Sequence, residues 1–407
     1  MTIPKALFLG SSTFLLAGAG YFFLPPFFSV SYSQNHQSAT NDQPPAATNA
    51  AAHAPRPNPL KAVYMTQCVA GTPSFRDSLV KLIDSTELNA IVIDIKDFSG
   101  KIAFPTNHIL LKDSVSEKCG AVDMESFIKT LHEKNVYVIG RITVFQDPYY
   151  AKSNPGQAVQ KTGGGVWYDR KGLAFVDVGA RPFWDYIVEL GKLSYAIGFD
   201  ELNFDYIRFP SDGNMSEAVY TWSIGKSKGQ ALEEFFQYLS QQLKPTDAIL
   251  SADLFGYTTV HNDDLGIGQI LERALPYFDY IYPMVYPSHY NSGFAGLADP
   301  NSDPYKVVYT SLEQGIEREL ATTTKQTSFV FAPIASTSPQ LYEKPVYYGK
   351  VVPWLQDFDY PVDYTPQMVR DQIRAARDAG IDSWLFWDAG NKYSSLRQVL
   401  AQPAVDR

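Results

Sequence analysis

The sequence predicts an α/β chain folded as a (β/α)8 TIM barrel, preceded by an N-terminal hydrophobic segment and a disordered linker. Two observations carry this. Strand signals alternate with helix signals eight times, over about 340 residues, which suits a barrel with inserted loops. No Gly-rich phosphate turn follows the first strand, which disfavours a doubly wound dinucleotide-binding sheet. The 407-residue chain allows one domain of that size, and its 45% hydrophobic content supplies a core.

The first segment is apolar from Ala6 to Phe28, with Lys5 ahead of it. Its length suits a signal peptide or a single membrane anchor over residues 1–30, and Lys5 would send the following chain outward. Residues 31–59 are rich in Gln, Asn, Ala, Ser and Pro and read as a disordered linker. The barrel is expected over residues 60–402.

The strands follow in order. Ala62–Tyr64, Ala90–Asp94 and Tyr137–Arg141 are short apolar runs, separated by helices over Pro73–Ile83 and Met124–Lys134. A small hairpin is expected through Gly100–Phe104, and a long loop holds Gly163–Gly165 and Trp167. A helix over Pro182–Ala196 leads into Glu201–Asp205. There Glu201, Asn203 and Asp205 share one face, and Leu202 and Phe204 the other. Such a strand, fed by a helix, suggests a polar pocket. Ile249–Asp253, Tyr280–Met284, Ser328–Ala332 and Ser383–Trp387 complete the set. Their helices span Gln230–Leu243, Ile270–Tyr277, Tyr305–Arg318, Pro366–Ala379 and Ser395–Ala401.

Active sites of such barrels lie at the C-terminal strand ends. Asp94 and Lys96 end the second strand and Arg141 the third. Asp205 and Tyr206 end the fourth, with Arg208 beyond, and Asp253 ends the fifth. Tyr282 and Tyr286 belong to the sixth; Trp387 and Asp388 end the eighth. Glycosidic bond cleavage requires two carboxylates across a cleft, one protonated and one ionised. Asp205 is the candidate nucleophile or base, supported by Arg208 or Arg141. Asp253 is the candidate acid, and Glu201 the reserve for either role. Tyr282, Tyr286, Trp354 and Trp387 are candidate walls for stacked sugar rings.

The net charge of −9, with no basic run, argues against a nucleic-acid partner. Six scattered His residues show no metal-ligand spacing, and no cofactor is expected. Cys68 and Cys119 form no CxxC pair, and bridged or free thiols are both open. Nothing speaks to oligomeric state.

Several segments are familiar together: Lys61-Ala-Val-Tyr-Met, Asn89-Ala-Ile-Val-Ile-Asp-Ile-Lys-Asp97, Gly140-Arg-Ile-Thr-Val-Phe, Gly198 to Pro210, Ser251 to Gly256, Tyr282 to Pro287 and Pro353 to Phe358. With them the chain resembles the family of glycosyl hydrolase domains first catalogued as a domain of unknown function. The family is similar in outline to α-amylase-type and chitinase-type barrels. The resemblance implies a (β/α)8 fold and a polysaccharide or oligosaccharide substrate. Ile207 stands where the chitinase pattern puts its acid, which speaks against substrate-assisted chemistry. The expectation is an extracytoplasmic hydrolase, membrane-anchored or secreted, acting on a cell-envelope or extracellular polysaccharide. A non-catalytic carbohydrate-binding barrel is the alternative.

Overall fold

The computed structural model describes residues 51–324 and 349–402. Eight parallel strands close a barrel: β1 (Lys61–Met65), β2 (Ala90–Lys96), β3 (Tyr137–Thr143), β4 (Glu201–Asp205), β5 (Ile249–Phe255), β6 (Tyr280–Met284), β7 (Trp354–Gln356) and β8 (Trp384–Trp387). β8 pairs back onto β1, with Lys61 opposite Trp384. Every residue of β2, β3 and β4 is buried. This is what near-continuous apolar runs become when both faces of a parallel sheet are covered.

The outer ring is α1 (Pro73–Asp84), α2 (Met124–Glu133), α3 (Arg181–Ala196), α4 (Lys228–Leu243), α5 (Leu271–Ala274), α6 (Pro304–Thr324), α7 (Pro366–Asp378) and α8 (Ser394–Leu400). Their starts follow local chemistry. Ser227 and Gln230 form a capping box on α4, and Thr365 caps α7 ahead of Pro366 at its first turn. The long loop after β3 is ordered. Its Gln160–Lys161 pairs antiparallel with Ala218–Val219 from the loop after β4.

Two apolar cores result. The larger lies between strands and helices; the smaller fills the lumen with Ala62, Tyr64, Val92, Ile139, Tyr282, Trp354 and Leu385. Gly140 permits close packing on the outer side of β3, since a Cβ there would stand 2.2 Å from Ile95 Cδ1.

Two expectations change. The seventh strand is Trp354–Gln356, not Ser328–Ala332, which lies outside the described residues. Pro353 ahead of a three-residue strand hides its signal. Residues 51–59, expected to belong to the disordered linker, are instead held against the barrel, while residues 31–50 lie outside the described residues. Ala54 N donates to Asp200 Oδ1 at 2.6 Å, and the Arg56 guanidinium lies 3.5 Å from the Tyr280 ring centroid. Buried carboxylates beneath the barrel hold this polar stretch in place. Cys68 and Cys119 are bridged. Among the described residues no helix is long and apolar enough to cross a membrane; the expected anchor, residues 1–30, lies outside them.

Candidate active site

Arg141 is the centre of the C-terminal mouth. Alternation along β3 turns it into the lumen above Ile139. Its Nη1 donates to Asp94 Oδ1 at 2.6 Å, and both Nε (3.2 Å) and Nη2 donate to Asp205 Oδ2. Nε also lies 3.7 Å from Asp253 Oδ2. One guanidinium thus joins carboxylates from β2, β4 and β5. Tyr64 OH donates to Asp94 Oδ2 at 2.5 Å, and Asn203 Nδ2 and Trp354 Nε1 each donate to Asp253 Oδ1 at 2.9 Å. Trp387 stacks on Tyr64 with centroids 3.8 Å apart, and Arg141 lies over the Trp387 ring.

The three acids differ in surroundings. Burial, reinforced by the Asp205 charge, pushes Asp253 well above the usual carboxylate range. Burial raises Asp94 to about 6, against the pull of Arg141. Asp205 is the most accessible, at 6% exposed against 1% for each of the others. The set therefore offers an arginine-bound carboxylate nearest the opening beside an acid whose burial favours its protonated form. Such a pair can divide proton donation from nucleophilic or base work.

Residues 62–393 match the family described as "Putative glycosyl hydrolase domain". The chain belongs to this family. It is also similar to a hypothetical protein from Ruminiclostridium thermocellum, at 32% identity over 50% of this chain and 98% of that one (TM-score 0.43). The PgaB (BpsB) glycoside hydrolase domain from Bordetella bronchiseptica shares the fold, with TM-score 0.55 and 15% identity over 85% of this chain and 99% of that one. So does the alpha-L-fucosidase isoenzyme 2 from Paenibacillus thiaminolyticus, with TM-score 0.52 and 10% identity over 84% of this chain and 49% of the other. No curated protein matches.

Within this glycosyl hydrolase domain, not every candidate joins the cluster. Glu201 sits at the opposite, N-terminal end of the lumen. It accepts from Tyr282 OH (2.6 Å) and Tyr137 OH (3.1 Å), with Arg56 Nε 3.5 Å away. Tyr282 is therefore a floor residue too. A five-residue strand separates its first and last inward positions by about four rises, roughly 13 Å. Lys96 lies outside the lumen, over the Phe183 ring of α3, paired with Asp147 at 2.9 Å. An irregularity between Asp94 and Lys96 in the β2–β3 register breaks the alternation there. Asp388 accepts from the backbone N–H groups of Gly390, Lys392 and Tyr393, so it organises its own loop. Tyr286 is at the mouth, edge-on to Phe358 and His289.

Tyr206 and Arg208 flank Asp205. Tyr206 has φ 51, a left-handed conformation unusual for a bulky side chain, and its N–H donates to Asp205 Oδ1 at 2.5 Å. Among the described residues Arg208 makes no ion pair with Asp205, which pairs with Arg141. Tyr64 and Asn203 are the cluster members that the list of strand-end candidates omits. Alternation from Ala62 and from Glu201 carried the signal for both.

Proposed function

We propose that this domain hydrolyses an O-glycosidic bond of a cell-envelope or extracellular polysaccharide. Asp253 gives its proton to the leaving oxygen as the glycosidic bond breaks; the Asp205 carboxylate either attacks the anomeric carbon, forming an ester that water then cleaves, or takes a proton from the attacking water. One observation carries the reading: Arg141 gathers the carboxyl groups of Asp94, Asp205 and Asp253 at the C-terminal mouth, where burial favours the protonated form of Asp253. Asp205 Oδ2 and Asp253 Oδ2 contact one nitrogen, at 3.2 and 3.7 Å, so they are no further apart than those distances laid end to end. That bound includes the retaining separation of about 5–5.5 Å and reaches only the short edge of the inverting range. Retention of anomeric configuration is the expected outcome.

The test is release of reducing ends from a polysaccharide panel. Asp253→Asn should lower kcat by about 10²–10⁴-fold for substrates with a poor leaving group. The loss of rate at alkaline pH, where Asp253 gives up its proton, should vanish in that variant. Undiminished turnover in Asp205→Asn removes Asp205 from the mechanism.

The depth of Asp94 and Asp253 favours a second reading, in which the cluster is a structural ion network under a carbohydrate-binding mouth. Glycan binding without turnover in the parent would select it. For location, the apolar run behind Lys5 and the Cys68–Cys119 bridge both support a site outside the cytoplasm. Reactivity of the protein toward protease added to intact cells tests this.

A further inference from the structure

Arg208 lies between the exits of β4 and β5, the two strands that carry Asp205 and Asp253. It is only 9% exposed. Its Nη1 donates to Phe209 O at 3.0 Å and to Ser211 Oγ at 3.2 Å. Its Nε and Nη2 have no hydrogen-bond partner among the described residues, and neither is sealed from solvent. No carboxylate of the described residues comes within 4.0 Å of it. Three rings surround the guanidinium, from Tyr206 at 5.1 Å, Phe255 at 5.0 Å and Phe175 at 5.7 Å. The backbone beneath is fixed as well. Phe209 N donates to Ile267 O, and Gln269 joins Ile207 O to Phe255 N.

A guanidinium stays charged at any physiological pH. Asp205, Asp169 and Asp212 lie near enough to favour its charge, yet none pairs with it directly, and burial still outweighs them and the aromatic collar. The loop interaction needs one nitrogen. The two left over form one edge of the planar fork that matches an oxyanion bidentately. Arg141 already serves the carboxylates, so balancing Asp205 by direct contact is not the task of Arg208.

We propose that Arg208 is a specificity-determining residue that binds an oxyanion substituent, carboxylate or sulfate, on a sugar unit at the cleavage site. This rests on the hydrolase reading and narrows its substrate to an acidic polysaccharide. A neutral sugar would leave the Arg208 edge desolvated and unpaired, which is how polar sites reject analogues that lack the matching group.

The experiment compares matched substrates: polyuronide oligosaccharides against their carboxyl-reduced forms, and a sulfated galactan against its desulfated form. The parent should favour one acidic partner by about 10- to 100-fold in kcat/KM. The pair that shows the preference identifies carboxylate or sulfate as the group. In Arg208→Gln the acidic-to-neutral ratio should approach one; in Arg208→Lys, which keeps the charge without the fork, it should fall between. Because the readout is a ratio within one protein, a loss of folded material does not mimic the result. Calorimetric binding of the same oligosaccharides to Asp205→Asn separates the two claims. Selective acidic binding without parent turnover leaves this inference standing and removes the hydrolase reading. Equal kcat/KM for acidic and neutral partners in the parent, or an unchanged ratio in Arg208→Gln, overturns the inference while hydrolysis stands.

Discussion

Arg141 is the common partner of three buried carboxyl groups, and burial sets the pH response of the mouth. Asp94 sits at about 6 in the folded chain against a usual value of 3.8, because burial outweighs the arginine beside it. The folded state therefore binds this proton more tightly than the unfolded one. The contribution of Asp94 is most favourable below about pH 4 and is lost as pH rises through 6. Asp94→Asn keeps an acceptor for Arg141 and no longer titrates. Denaturant unfolding at a series of pH values should show a shallower decline between about pH 4 and 6 in that variant than in the parent. An identical decline would assign the slope to other groups. Arg141→Met removes the common partner of three acids and should cost about 3 kcal/mol or more at neutral pH. The deficit should shrink on acidification, as the stranded carboxylates take up protons.

At the scale of elements, the end of β7 and the start of α8 form one unit. Asp357 follows Gln356 directly, and its Oδ2 accepts from Leu396 N at 3.2 Å, in the first turn of α8. Burial, with Asp388 and Asp359 adding to it, pushes Asp357 up to about 8 despite the backbone donors of Leu396 and Ser395. Its stabilising contribution is full below about pH 4 and is lost by about pH 8, where the charged form stands in a poorly hydrated place. Asp357→Asn preserves an acceptor for Leu396 N. It should raise stability above pH 8, on the order of 2 kcal/mol, and leave it nearly unchanged at pH 4. Thermal melts at the two pH values check this; a loss at both would mean that the ionised carboxylate is needed as the helix cap. These short elements also mark where the sequence stops being legible. β2 and β3 declare themselves by apolar runs, and seven of the eight staves fall where their patterns put them. β7 carries three residues behind a proline and has no such pattern. Asp94, Arg141, Asp205 and Asp253 were legible as strand-end residues, and the structure brings all four together. Glu201 and Tyr282 share the inward face with site residues, and periodicity alone does not say which end of the lumen they reach. Lys96 was misplaced by a register irregularity, which leaves no composition signal.

The whole molecule has a mouth and a floor, and the chain ahead of β1 belongs to the floor. Asp200 accepts from Ala54 N, Val138 N (2.7 Å) and His132 Nε2 (2.9 Å), and His53 stacks on Tyr195. Beside it Arg56 covers Tyr280 and meets the buried Glu201, whose own pKa burial raises. Residues 51–59 thus pack against the end of the barrel opposite Asp205. The interaction is tested as a pair. Arg56→Met strands Glu201 in the lumen and should cost roughly 3 kcal/mol near neutral pH. Without Arg56, burial favours the protonated form of Glu201 further, so this deficit should grow as pH rises above the usual Glu value of 4.5. Adding Glu201→Gln removes the stranded charge and should restore most of the loss, with a coupling energy of about 1 kcal/mol or more in the double-mutant cycle. Turnover at the far mouth would be measured on the same proteins. A chain starting at Leu60 should melt below one starting at Ala51, because Asp200 and Glu201 both lose partners when residues 51–59 are removed. Equal melting of those two chains, together with additive single changes at 56 and 201, would show that the floor closes without this segment.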